Sequence, residues 1–217
     1  MYTEAEIRVN ARKGRCICGR FRIQDQPSDE KLAELFQQAI EISLKLGAKM
    51  VTSGDVRPTD IAPVLAPSAR NRALGAFPMQ WGFTHPKRGM LVFNTRMETA
   101  QEREMFAGSV NDRRCLIPAA AYYEWKKIDP KRKERYAFKA EDGSPLFLAG
   151  LYIRTSDQHK LPCFTVLTQD ADRTIRELHP RMPVLVPYSR AEEWLSPDTD
   201  FLGMIQNLRV PVTAERA

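Results

Sequence analysis

Two cysteines one residue apart, Cys16 and Cys18, sit in the stretch RCICGRF near the start of the chain. A pair so spaced could clip a metal, form half of a disulfide, fill a core or supply a nucleophile. Structural zinc sites draw on two pairs of ligands, each roughly two to four residues apart. The other two cysteines, Cys115 and Cys163, are isolated in apolar strand patterns (CLIP, CFTVL), and the chain has only three histidines. With no second pair, neither a metal nor a cofactor is expected. Cys115 and Cys163 read as buried small hydrophobes. Cys18 differs, because Gly19 frees the backbone beside it and the Arg20 cation favours thiolate. A core cysteine at the start of a strand fits the same residues, so nucleophile and filler both stand.

Three more segments join a strand end to polar groups of catalytic type: NTRMET, RRCLIP running on to YYEW, and HPRMPV. Glu124 lies between Tyr123 and Trp125. It is either a solvent-exposed member of an alternating strand or a carboxyl held against aromatics, with a raised pKa suited to proton transfer. His179 precedes Pro180 at a helix end, as a C-cap or as a general acid or base. Asn94 and Arg96 either orient a substrate and a phosphate or cap the following helix.

The elements that would position these residues follow from pattern. The chain has 217 residues, 43% hydrophobic and 28% charged, which suits a single globular domain with its own core. No apolar run reaches the ~18 residues of a membrane span, and the first residues lack the apolar centre of a signal peptide. No membrane partner is expected, and the cytoplasm is the expected compartment. A net charge of +6 favours a polyanion partner. Its densest cluster, Lys126, Lys127, Lys131, Arg132, Lys133 and Arg135, is either a solvated turn or a phosphate-facing patch.

After the strand FRIQ, Ser28 can cap a helix whose apolar stripe is Leu32, Leu35, Phe36, Ala39, Ile40 and Leu44, with Gly47 as its stop. Residues 53–67 carry three prolines and read as an ordered loop with short extended pieces, not a helix. Asp142-Gly143 is a hairpin signal. Strands outnumber helices and most connections are too short for parallel crossovers. The expected fold is one α+β domain with a strongly curved, largely antiparallel sheet, a pseudo-barrel flanked by helices. It spans 18–217, behind a leader of 1–17.

The blocks CGRF, VRPTD, WGF, NTRMETA, RRCLIPAAAYYEW, AGLY and HPRMPVLV, in this order, resemble the SRAP family, the SOS response-associated peptidases or abasic-site processing proteins. The resemblance implies binding of single-stranded DNA that carries an abasic site. It implies a covalent thiazolidine link through a cysteine that is the amino-terminal residue. The matching positions are Cys18 for that cysteine, and Asn94, Glu124 and His179 for its catalytic partners. Arg96 and Arg181 match phosphate-contacting arginines. Arg20, Trp81 and Trp125 fall in motifs that line the DNA cleft. The implied assembly state is a monomer, associated with the nucleoid when bound to DNA.

One position departs from the family pattern: Cys18 follows seventeen residues, so its nitrogen is an amide unless the leader is absent. Translation could start at Ile17, proteolysis could remove 1–17, or the leader could stay. The second case allows a thiol-dependent autopeptidase using Cys18. The third leaves a non-catalytic binder of single-stranded DNA.

Overall fold

Strands buried along most of their length and packed in layers make up the architecture, seen in a computed structural model that describes residues 18–24, 27, 29–85, 87–154 and 161–217. The leader 1–17, with Cys16, and the expected cap Ser28 lie outside the described residues. The strands are β1 (Phe21–Ile23), β2 (Gly54–Val56), β3 (Ile61–Pro67), β4 (Leu74–Trp81), β5 (Phe83–Thr84), β6 (Leu91–Val92) and β7 (Asn94–Arg96). They continue with β8 (Arg114–Ala119), β9 (Ala121–Lys127), β10 (Lys133–Ala140), β11 (Leu146–Ile153), β12 (Cys163–Asp170), β13 (Arg181–Pro183) and β14 (Val212–Arg216). The helices are α1 (Glu30–Lys45), α2 (Met97–Ala100), α3 (Glu104–Asp112), α4 (Arg173–Arg176), α5 (Ala191–Leu195) and α6 (Phe201–Gln206). None of them is long and apolar enough to cross a membrane.

Two sheets carry the fold. The smaller runs β14-β10-β9-β1-β2, with every neighbour antiparallel. The larger runs β11-β8-β3-β4-β12-β13, and a further pairing of β11 with β12 curls it into a closed ring. β12 runs parallel to β4 and β7, while the other pairings of this sheet are antiparallel. Gly150 permits the closure. A Cβ there would stand 2.7 Å from Ile117 Cδ1 and 2.9 Å from Thr165 O, so only glycine lets β11 approach both neighbours. The expectation of one α+β domain with a strongly curved, largely antiparallel sheet holds.

Three local expectations are overturned. Residues 53–67 hold more strand than the short extended pieces expected: besides the brief β2, the seven-residue β3 is a full member of the ring, with Pro63 opposite Pro78. β3 meets β8 in register only at Leu65↔Leu116, so a proline without an N–H leaves little of that ladder undone. Asp142-Gly143 does form a turn, with Gly143 at φ +74. Yet the strands it joins belong to different sheets, because β10 pairs with β9 and β14 whereas β11 completes the ring. The helix cap is Asp29, whose carboxylate accepts from Leu32 N at 2.7 Å. The buried stripe of α1 is Leu32, Phe36, Ala39 and Ser43, and Leu44 faces solvent. Ser43 is tolerated inside because its hydroxyl donates to Ala48 O at 2.6 Å.

The inner face of the smaller sheet packs on the ring. Phe21 on β1 lies 5.0 Å, ring to ring, from Trp81 on β4. On β9 the period of two sends Tyr122 and Glu124 inward. Tyr123 and Trp125 stay on the outer face with Ala121 and Ala137.

Candidate active site

The register between β1 and β9 assembles the site. Phe21 pairs with Tyr122, and Tyr123 N donates to Arg20 O at 2.9 Å. Continuing that antiparallel ladder brings Cys18 level with Glu124 and Trp125. There the Cys18 backbone N–H donates to Glu124 Oε1 at 2.5 Å. Asn94 reaches in from β7, its side-chain amide donating to Cys18 O at 3.4 Å. Cys18 adopts φ +44, a left-handed conformation that costs a non-glycine residue about 1–2 kcal/mol and needs firm anchoring. The bonds to Glu124 and Asn94 are such anchors.

Glu124 is 2% exposed, and burial pushes its carboxyl up to about 8 although the Cys18 N–H bond pulls the other way. A carboxyl in this range gives and takes protons near neutrality. Its second oxygen faces His179 Nε2 at 3.8 Å. His179 follows α4, which Asp172 caps by accepting from Ile175 N. His179 Nδ1 lies 3.0 Å from Arg181 O. With Nδ1–H donating to that carbonyl, Nε2 turns its lone pair toward Glu124. Cys18, Asn94, Glu124 and His179, distant in sequence, thus meet in space.

The five expected DNA contacts divide. Arg20 lies over the Trp125 ring at 5.6 Å and 3.6 Å from Asp55, on the outer face of the smaller sheet. Arg96 is exposed at the end of β7. Trp81 is fully buried among Phe21, Phe93 and Phe164, and its indole N–H donates to Phe93 O at 2.8 Å. The expected place for Trp81 in a DNA cleft is therefore corrected: it is a core residue that supports β1 from below. Arg181, the other expected phosphate-contacting arginine, is nearly buried in an ion-pair cluster. It is 7% exposed and forks onto Glu98 at 2.5 and 2.9 Å, with Asp170 at 2.6 Å and Thr168 O at 2.7 Å. Burial acts to raise Glu98, but the Arg181 bonds outweigh it and hold the carboxyl below its ordinary value. Arg181 clamps α2 to β13 and so fixes the carbonyl that orients His179.

Sequence reasoning missed Tyr122. It is fully buried and stacked on Phe138 at 4.8 Å, and its hydroxyl has no hydrogen-bond partner among the described residues. Burial, with the nearby Cys18 and Glu124, pushes the phenol well above its usual range. The available signal was the two-residue spacing from Glu124, which puts both side chains on one face of β9. Asp55 was missed as well; it gathers Arg20, Arg22 and Arg135 at 3.5–3.6 Å.

Comparison with known proteins adds context to this geometry. A family model described as SOS response associated peptidase (SRAP) matches residues 17–216. The chain is 30% identical over 206 residues to the abasic site processing protein YoqW of Bacillus subtilis, covering 92% of this chain and 89% of that protein. It is 29% identical over 182 residues to the abasic site processing protein YedK of Escherichia coli, covering 82% and 79%. The crystal structure of a phage-related protein from Bordetella bronchiseptica is similar with a TM-score of 0.67 and 25% identity, covering 92% of this chain and 94% of that one. A Bacteroides thetaiotaomicron protein matches with a TM-score of 0.68 at 17% identity, a likeness of fold.

Proposed function

The chain belongs to the SOS response associated peptidase (SRAP) family, and on that premise we propose that it captures abasic sites in single-stranded DNA through Cys18. In this reading it acts as a monomer at the nucleoid, in the cytoplasm, within the DNA damage (SOS) response. The observation that carries it is the grip of Glu124 on the Cys18 nitrogen, at 2.5 Å. Glu124 and Asn94 hold the Cys18 nitrogen and carbonyl oxygen, so the nitrogen that amine chemistry needs lies against an acid-base group.

The chemistry follows from the residue types. An opened abasic sugar presents an aldehyde. The Cys18 amine adds to it, and the carbinolamine loses its hydroxyl as water once a proton is supplied. Glu124, poised near 8, takes the proton from the amine and returns it to the departing hydroxyl. The Cys18 thiol then adds across the imine carbon, and its proton passes to nitrogen as the thiazolidine closes. Both nucleophiles sit on one residue, so closure is intramolecular and strongly favoured. Asn94 holds the Cys18 carbonyl and so sets the direction of the amine. His179, once it carries a proton on Nε2 as well, donates that proton to the ring oxygen when the sugar opens.

This chemistry requires a free amine, so it belongs to the form whose first residue is Cys18. That form, incubated with abasic single-stranded DNA, gives a slower species on a denaturing gel. Cys18→Ala abolishes it, and so does keeping residues 1–17. Absence of the species with the trimmed chain overturns the reading. Release of residues 1–17 by the full chain itself, abolished in Cys18→Ala, would favour the autopeptidase instead.

A further inference from the structure

Two flanks of the site rest on elements too short to hold themselves in place. Asn94 opens β7, a strand of three residues that pairs with β12 from Val166 to Thr168. The chain then passes directly into α2, four residues long, whose N-cap Arg96 makes no side-chain cap bond. So short a helix is not stable alone, and tertiary contacts must fix it. His179 precedes β13, also three residues long, which pairs with β12 from Thr168 to Asp170. Thr168 faces Arg96 across one edge of β12 and Pro183 across the other. Asn94 and His179 thus approach Cys18 and Glu124 from either side of one strand.

One ion pair ties these flanks across the end of β12. Arg181 on β13 donates to both carboxylate oxygens of Glu98 on α2, at 2.5 and 2.9 Å. The carbonyl of the same arginine lies 3.0 Å from His179 Nδ1. Glu98 stands four residues after Asn94. Of the other α2 side chains, Met97 packs on the core and Ala100 is buried, while the Thr99 hydroxyl has no hydrogen-bond partner among the described residues. Among those residues Glu98 is therefore the polar tether of α2. Two parallel charge-assisted bonds fix direction as well as distance. The Arg181 side chain is only 8% exposed, so water competes little for them. Asp170 also accepts from Arg181, at 2.6 Å, but it belongs to β12 and tethers nothing on α2.

We infer that Glu98 is a positioning residue for the reaction of Cys18, holding Asn94 and His179 at their working separation through its grip on Arg181. The inference rests on the function proposed above. The effect of Glu98 reaches the reacting atoms by two routes. One runs along the backbone from α2 back to Asn94, which bonds the Cys18 carbonyl. The other runs through the Arg181 carbonyl to His179, which faces Glu124. Loss of the grip lets α2 shift, and a displacement of about 1 Å at reacting groups slows chemistry by up to roughly 10²-fold.

The test uses the form that begins at Cys18, with the variants Glu98→Ala, Glu98→Gln and Asp170→Ala. Both acids are exposed, and each Ala variant takes one carboxylate from Arg181, which makes Asp170→Ala the control for charge. Crosslinking to abasic single-stranded DNA is followed at rising DNA concentration, which separates the saturating rate from the half-saturating concentration. Glu98→Ala lowers the saturating rate roughly ten- to a hundredfold and leaves the half-saturating concentration unchanged. Glu98→Gln keeps one acceptor oxygen at the same reach and recovers part of the rate; it carries the test should Glu98→Ala lose its fold. Asp170→Ala changes little. The ring-nitrogen shifts of His179, read by NMR without DNA, move in Glu98→Ala and stay in Asp170→Ala, because the bond from Nδ1 depends on the place of the Arg181 carbonyl. An unaltered rate in Glu98→Ala, equal losses in both Ala variants, a loss confined to the half-saturating concentration, or unmoved His179 shifts overturns the inference. If the unaltered chain forms no crosslink, the proposed function falls, and the His179 shifts still decide whether Glu98 positions that residue.

Discussion

Strand β9 shows two chemistries one residue apart. Its inward residues, Tyr122 and Glu124, are sealed in the core, and there a carboxyl is driven up to about 8. Its outward residues, Trp125 and Lys127, lie among arginines on the surface, and no proton chemistry is built around them. The sequence YYEWKK is one run, and the pleat alone sorts it. The lesson is that burial supplies reactivity and exposure supplies contact, and a strand delivers both from neighbouring positions. The three described cysteines make the same point. Cys115 and Cys163 are pushed up by burial alone, the latter to about 12, and are inert thiols. Cys18, equally buried, is gripped by Glu124 through its own nitrogen.

The sharpest way to break the contrast is Glu124→Gln. Loss of an acid-base group lowers the crosslinking rate about 10²–10⁴-fold. Single-turnover rates against pH show it, since the inflection near 8 disappears. Stability moves with the same group. Its folded pKa is raised from 4.5 to about 8, so the folded state holds the extra proton between those values. Stability is fully present below about 4.5 and falls as pH rises through 8. Denaturant titrations across that window show a decline that Glu124→Gln flattens. A flat profile in the unaltered protein would count against the buried acid.

Trp81→Ala comes next and tests inside against outside directly. A core tryptophan truncated to alanine costs about 3–5 kcal/mol of folding stability. A tryptophan on a cleft surface would cost little, so equilibrium unfolding separates the two. Trp125→Ala should give the opposite pattern. Its stability changes by less than about 1 kcal/mol, while DNA affinity weakens by about 1–3 kcal/mol from lost stacking. Measured together, the two variants place the boundary between core and interface.

The smallest effect belongs to Tyr122→Phe. Removing a buried hydroxyl without a partner is neutral or stabilises by up to about 1 kcal/mol. If the hydroxyl also shapes the field around Glu124, the pH–rate inflection shifts although stability does not fall. A clear loss of stability would reveal a hydrogen bond for that hydroxyl.

Much of the fold was legible. Strand identities from Arg114 to Asp170 follow from short apolar runs with β-branched and aromatic content. Cys18, Asn94, Glu124 and His179 were found by matching ordered blocks, and they meet in the folded chain. What escaped was long-range. The prolines at 58, 63 and 67 signal a loop locally, yet Ile61–Pro67 is a ring strand because its neighbours tolerate missing donors. Asp142-Gly143 reports a turn truthfully, but no local signal says which sheet the next strand will join. Trp81 and Trp125 are the same residue type in similar motifs, and only packing separates core from surface.

The sequence by itself determined the alternation of faces, the turns, the cationic surplus and the residue types able to do chemistry. These are local properties of side chains and their spacing. Only the tertiary structure decided that Cys18 N would meet a carboxylate 106 positions away, and that burial would raise that carboxyl. It also bound Arg181 to Glu98 and Asp170, and it gathered three arginines around Asp55. The reason is physical: desolvation and ion pairing depend on what surrounds a group in three dimensions, and strand register across distant segments sets those surroundings.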